Sequence, residues 1–253
     1  MFTAAKPSIT RIALLGAVVL VSACSTPSQP DGINDPFEQT NRQTHEFNRG
    51  VDRIVLRPTS NAYGTVVPER ARNGIANFAN TLNQPADVVN SLLQGRVENA
   101  GHSTFRFLVN AVFGLGGVLD PATDMGLEDR DTDFGETLYV WGVPEGVYGE
   151  LPIVGPVTER HAAGKVVDLF TNPLSTVLEG PQAAAQTAAN VASGFGTRYR
   201  LSDTIDSILY DSADSYAQAR VIYLQNRRFK LGVDSSGTDL DPFEDPYDSL
   251  SPQ

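Results

Sequence analysis

The sequence predicts an all-α domain behind a lipid-modified N-terminal tether, and three observations carry that reading. Apolar residues recur at helical spacing through the first half of the chain. An alanine-rich stretch of high helix propensity, Pro181 to Ser193, lies in the second half. A single cysteine, Cys24, directly follows an apolar run in the order Leu20, Val21, Ser22, Ala23, Cys24. There is no tandem repeat and no heptad array.

Residues 1–23 have the three parts of an export signal: a basic start with Lys6 and Arg11, an apolar run from Ile12 to Val21, and small residues before the cut. The run is too short to span a bilayer, which takes roughly 20 apolar residues as a helix. The pattern is that of a lipoprotein signal, with Cys24 as the acylated first residue of the mature chain. Each buried methylene contributes about 0.8 kcal/mol, so several acyl chains anchor firmly. Ser25, rather than Asp, follows the cysteine, which in Gram-negative lipoproteins goes with delivery to the outer membrane. Residues 24–34, rich in Ser, Pro, Gly and Gln, read as a flexible tether.

One domain is expected over residues 35–233. A short helix is predicted within Asp35 to Asp52, with Pro58 interrupting the stretch after it and Pro68 opening the next helix. There Ile75, Phe78, Ala79 and Leu82 share one face. Pro85 is expected to end that helix, and Val88, Val89, Leu92, Leu93 and Val97 define a second amphipathic one. From Phe105 to Leu119 apolar residues occupy every side of a helix, so the segment must be buried in protein or in lipid, as a core helix or a half-inserted hairpin. Residues Asp120 to Pro156, rich in Gly, Pro and Asp, read as loops and short turns. Helices are expected from Gly164 to Leu178, Pro181 to Ser193 and about Ser212 to Leu231, the last with Arg227, Arg228 and Lys230 at its dipole-negative end. Residues 234–253, acidic and with two Asp-Pro pairs, read as a disordered tail.

The chain carries 19 basic and 30 acidic residues, a formal charge of −11. Removing Lys6 and Arg11 with the signal leaves 17 basic against 30 acidic, or −13. Such a surface repels nucleic acid and anionic lipid head groups, so contact with lipid must come from apolar or locally basic surface. With its one thiol acylated the chain forms no disulfide, so packing must hold it together. His45, His102 and His161 are far apart in sequence, which argues against a metal site. Asp129, Asp131 and Asp133 begin like a calcium loop, but Phe134 and Val140 stand where Gly and Glu are needed. Gly114-Leu115-Gly116-Gly117 precedes Asp120-Pro121 rather than a helix that could receive phosphate. Neither a Gly-x-Ser-x-Gly turn nor a nucleotide-binding P-loop is present. No cofactor and no enzymatic activity are expected.

Asp35-Pro36-Phe37-Glu38, Asn41-Arg42, Phe47-Asn48, Arg72-Asn73-Gly74, Asn77-Phe78, Leu93-Gln94-Gly95, Phe134-Gly135-Glu136-Thr137-Leu138, Leu151-Pro152 and Tyr223-Leu224-Gln225, in this order behind the cysteine, resemble the VacJ/MlaA family of outer-membrane lipoproteins. His45 stands where an aromatic is usual, and Arg160-His161 replaces the Arg-Asp of many members. The resemblance implies a ring-like helical protein around a central amphipathic channel, anchored on the periplasmic side of the outer membrane of a Gram-negative bacterium. It implies removal of mislocalised phospholipid from the outer leaflet and delivery to a periplasmic lipid-carrier protein, with some members beside trimeric porins. Asn77 and Phe78, from their place in the family's motif, and Phe107, Phe113 and Leu115, from their apolarity, are expected on the lipid path; Arg227, Arg228 and Lys230 are candidates for head-group contact. The competing reading is a structural lipoprotein that scaffolds porins or envelope proteins.

Overall fold

The computed structural model describes residues 33–232. Cys24, residues 25–32 of the tether and the acidic tail lie outside the described residues, whereas Ile33 and Asn34, expected to belong to the flexible tether, are packed on the fold, the Asn34 carbonyl accepting from the Tyr148 amide at 2.7 Å. Helix α1 (Glu38–Val51) runs through a π-helical turn (Asp52–Leu56) into α2 (Arg57–Val66). Pro58 therefore does not interrupt the helix. The π turn sits immediately before it and widens the backbone where the ring would meet a carbonyl one turn back.

Pro68 caps α3 (Glu69–Leu93), and Pro85 lies inside that helix instead of ending it. The two amphipathic stretches read from the sequence are one 25-residue helix. An interior proline costs about 3 kcal/mol, and α3 offsets this by packing against both α4 (Val97–Phe113) and α9 (Pro181–Arg200). A Gly-rich turn follows α4, with Leu115, Gly116 and Gly117 all at positive φ. At Gly117 a side chain would meet Thr81, 2.7 Å away, so only glycine lets this turn lie flat on α3.

The segment expected to be loops contains α5 (Pro121–Asp124), α6 (Phe134–Val140) and a hairpin of β1 (Tyr148–Leu151) and β2 (Gly155–Thr158). The strands are antiparallel, with Tyr148 opposite Thr158 and Leu151 opposite Gly155. Both short helices have Asp caps: Asp120 accepts from the Thr123 amide and Asp133 from the Glu136 amide. The expected helix 164–178 is two, α7 (Glu159–Thr171) and α8 (Pro173–Val177), because Pro173 needs a fresh helical start. Beyond α9, α10 (Ser202–Asp206) leads into a second π-helical turn (Ser207–Asp211) and then α11 (Ser215–Lys230).

Helices α3, α4 and α9 pack together, α9 also covers α2, and α6 packs on α7, while α1 and α11 flank the hairpin. Between them Tyr148, Tyr216 and Leu224 form a small apolar cluster, joined by Ile33 and Tyr223. The all-α class is borne out, with the single hairpin added.

Candidate functional site

Polarity in this fold is inverted. Among the described residues, 24 buried side chains are polar or charged and only 11 are apolar, the reverse of an ordinary water-soluble core. Helix α4 shows it most clearly. Ser103, Arg106 and Asn110 point inward and are buried, whereas Phe105, Leu108, Val112 and Phe113 are exposed. Of the two alternatives for residues 105–119, the core helix is not what forms. The polar side of the helix faces the protein and the apolar side faces out.

That outward band continues through the Gly-rich turn, where Leu115, Val118 and Leu119 are exposed. Phe113 is 73% exposed and Leu115 74%. A contiguous apolar surface of this kind marks a site of contact with lipid or with another protein. Among the described residues no helix is long and apolar enough to cross a membrane.

The inward side is a hydrogen-bonded spine. Arg106 donates to the Asp120 carboxylate at 2.7 Å, to Thr123 Oγ1 at 3.0 Å and to the Leu127 carbonyl. Asn110 donates to Asp120 at 2.9 Å and accepts from the Ala122 amide at 3.1 Å, so α5 is pinned under α4. On α3 and its C-cap the buried face carries Thr81, Gln84, Asp87, Asn90 and Gln94, spaced three or four residues apart. Asn90 and Gln94 both reach Thr137 of α6, at 3.1 Å each. Asp87 accepts from the Thr132 amide at 3.2 Å. Burial, with Asp129, Asp131 and Asp168 nearby, pushes its carboxyl up to about 7.

Further up the same face, pairing runs out. Gln84 is 1% exposed, yet among the described residues neither its amide nitrogen nor its oxygen has a partner, and Thr81 Oγ1 is likewise buried and unpartnered. A buried polar group left in this state costs about 1–3 kcal/mol. Three such atoms fall within one helical turn of α3, with Thr81 directly under the Gly117 backbone.

The residues singled out in the sequence fall on both sides of this boundary. Asn77 donates to the Val118 carbonyl at 3.3 Å and ties α3 to the Gly-rich turn. Phe78 and Phe107 are half-buried, and Phe113 and Leu115 lie on the apolar exterior. Each terminal cation has a carboxylate partner: Arg227 with Asp133 at 2.5 Å, Arg228 with Glu145 at 2.9 Å, Lys230 with Asp131 at 2.6 Å. Thr81 and Gln84 belong to no motif, and their one signal in the sequence is the three-residue spacing of polar positions on α3.

Two histidines take internal positions. His45 Nε2 lies 3.0 Å from Ser215 Oγ and its Nδ1 3.1 Å from Glu150, the order of a hydrolytic relay. All three side chains are buried in the joint of α1, β1 and α11, and Glu150 also accepts from Asn48, so the set ties three segments together. His161 Nδ1 lies 2.7 Å from the Tyr223 hydroxyl, and burial and Arg227 bring its pKa down to about 4. Among the described residues no group of three or more metal-ligating side chains converges.

Comparison with known proteins gives consistent matches. A family model described as MlaA lipoprotein matches residues 33–230. The chain is 34% identical over 236 residues to the intermembrane phospholipid transport system lipoprotein MlaA of Escherichia coli K12, covering 92% of this chain and 90% of that one. It is 33% identical over 226 residues to the protein of the same description from Haemophilus influenzae Rd, covering 87% and 88%. A solved structure described as the structural basis for maintenance of bacterial outer membrane lipid asymmetry superposes with a TM-score of 0.68 at 35% identity, over 78% of this chain and 98% of that chain.

Proposed function

Since the chain belongs to the MlaA lipoprotein family, we propose that it removes mislocalised phospholipid from the outer leaflet of the outer membrane and passes it to a periplasmic carrier, without covalent chemistry. The observation that carries this reading is the inverted polarity of α3 and α4. Hydrocarbon solvates a charged head group poorly, so unaided flipping faces a high barrier. A polar interior offers hydrogen bonds to the head group, while an apolar exterior keeps the protein in the leaflet.

In this reading Thr81 and Gln84 meet the head group, and Asn77 holds the Gly-rich turn over them. Phe78 and Phe107 form the boundary between the polar interior and the acyl region, and Phe113 and Leu115 lie among acyl chains. The helices close as a ring around an amphipathic channel. Acylated Cys24 anchors the chain on the periplasmic side, and a trimeric porin and a soluble lipid carrier are its partners. Arg228 and Lys230, partly open to solvent beside their carboxylates, are the terminal cations available to a head group.

The test is mass spectrometry of phospholipid retained by the detergent-extracted full chain. Stoichiometric phospholipid is expected in the wild type, and Gln84→Leu, which removes both orphan polar atoms, should reduce it without unfolding the protein. A chain that retains no phospholipid would instead be the structural scaffold. Cys24→Ala should leave the export signal uncleaved by the lipoprotein peptidase; an unchanged mature size and membrane fraction would refute the anchor.

A further inference from the structure

The two π-helical turns face each other across a buried ion-pair network. Asp52, first residue of one, takes two hydrogen bonds from Arg198, at 2.9 and 2.8 Å, and one from the hydroxyl of Tyr210 in the other, at 2.7 Å. Arg198 also reaches Asp206 at 2.6 Å. The Tyr210 ring is thereby fixed at the surface of α1 and α2.

Three guanidinium groups converge on that ring. Arg49, Arg53 and Arg57 place their central carbons 5.8, 5.2 and 5.2 Å from its centre. Arg49 is paired with Glu46 and Arg57 with Asp206. Arg53 is exposed and, among the described residues, has no carboxylate within ion-pair distance. A surplus cation is thus held between two others on a chain whose formal charge is −11.

Beside Arg53, Ile54 and Val55 are exposed, Ile54 to 76%. The second π turn also borders an apolar hollow of about 320 Å³, lined by Ile205, Ile208, Leu209 and Ile222 among others. A cation thus sits amid apolar surface.

We propose that Arg53, flanked by Arg49 and Arg57 over Tyr210, forms a surface site for the phosphodiester head group of an anionic glycerophospholipid. Guanidinium groups match phosphate oxygens in charge and geometry. The ring, which alone would attract a choline or ethanolamine ammonium, is already surrounded by cations, so zwitterionic lipids gain less here. Ile54 and Val55 supply the apolar contact that a free phosphate would not use. This site lies apart from the α3 and α4 interior and goes beyond the transport reading: it selects among lipids at the membrane surface.

The test is titration of the detergent-solubilised full chain with short-chain phosphatidylglycerol, short-chain phosphatidylcholine and inorganic phosphate, for the wild type, Arg53→Gln and Arg53→Lys. Phosphatidylglycerol should bind more tightly than phosphatidylcholine. Loss of one charge-assisted contact in Arg53→Gln should weaken it about tenfold or more, with Arg53→Lys in between and phosphatidylcholine unchanged. Equal phosphatidylglycerol affinity in wild type and Arg53→Gln would overturn the site. Inorganic phosphate binding as tightly as phosphatidylglycerol, with the same dependence on Arg53, would make it a free-anion site and overturn the lipid assignment. Should Arg53→Gln fail to fold, Arg53→Lys against the wild type decides. Total co-extracted phospholipid, measured in the same preparations, reports on the transport reading separately.

Discussion

Arg227 of α11 grips Asp133, the cap of α6, through two parallel hydrogen bonds of 2.5 and 2.6 Å. Burial pushes the Asp133 carboxyl up, but the Arg227 guanidinium more than offsets this and holds it below the usual carboxylate range. The pair closes the C-terminal helix onto the middle of the chain. Removing Arg227 strands the Asp133 charge, but that carboxylate is 30% exposed and water meets part of the loss, so the cost falls to about 1–3 kcal/mol. Arg227→Ala should lose about that much in chemical denaturation, and Arg227→Lys, which keeps the charge but not the fork, should lose less.

Asp87 should make the protein less stable as pH rises. Its carboxyl titrates at about 7 in the fold against 3.8 when free, so the folded state binds the extra proton between those values. The favourable contribution is full below about pH 4, shrinks as pH rises to about 7, and is then gone. Asp87→Asn keeps an acceptor for the Thr132 amide and should raise stability above pH 7 by on the order of 2–4 kcal/mol. Thermal unfolding of both proteins from pH 4 to 8 should show a difference that grows with pH.

His161 should stay neutral well into the acid range. Burial and Arg227 hold its pKa at about 4, so its contribution to stability is present above about pH 6.5 and fades as pH falls toward 4. Histidine ring resonances followed by NMR through this range should show it unprotonated at pH 5.5, and a midpoint near 6.5 would contradict the burial assigned here.

Phe113→Asp should separate folding from membrane contact. The residue lies on the exposed side of α4, so in detergent the unfolding midpoint should move little. In a bilayer the new carboxylate would sit in hydrocarbon. The variant should therefore hold less firmly to the membrane and allow phospholipid to accumulate in the outer leaflet.

Gly117→Ala combines two penalties, a φ of +95° and a methyl group against Thr81. A destabilisation of about 1–3 kcal/mol is expected, visible as a lower unfolding midpoint. The same change at Gly116, also at positive φ but with open space around it, should cost less.

Local pattern located most helices because their signals are local. The spacing from Ile75 to Leu82 and the alanine-rich run after Pro181 lie within α3 and α9. Pro85 misled because its cost is met by α4 and α9, whose approach no local window contains. The hairpin is hidden in the sequence because Gly149, Gly155 and Pro156 break the alternation in strands of only four residues. For the site, Asn77 and Phe113 stood out as motif and as apolarity. The orphaned state of Gln84 and the crowding of Arg49, Arg53 and Arg57 on Tyr210 depend on segments distant in the chain.

By itself the sequence determined the helical class, the lipoprotein signal pattern ending at Cys24, and the family, since each is written in short-range spacing or ordered motifs. The tertiary structure alone decided which way each face points. Periodicity separates an apolar stripe from a polar one but is silent on which meets the outside. In α4 the answer is the unusual one, because Arg106 and Asn110 find Asp120 inside the protein and so free Val112 and Phe113 to face outward.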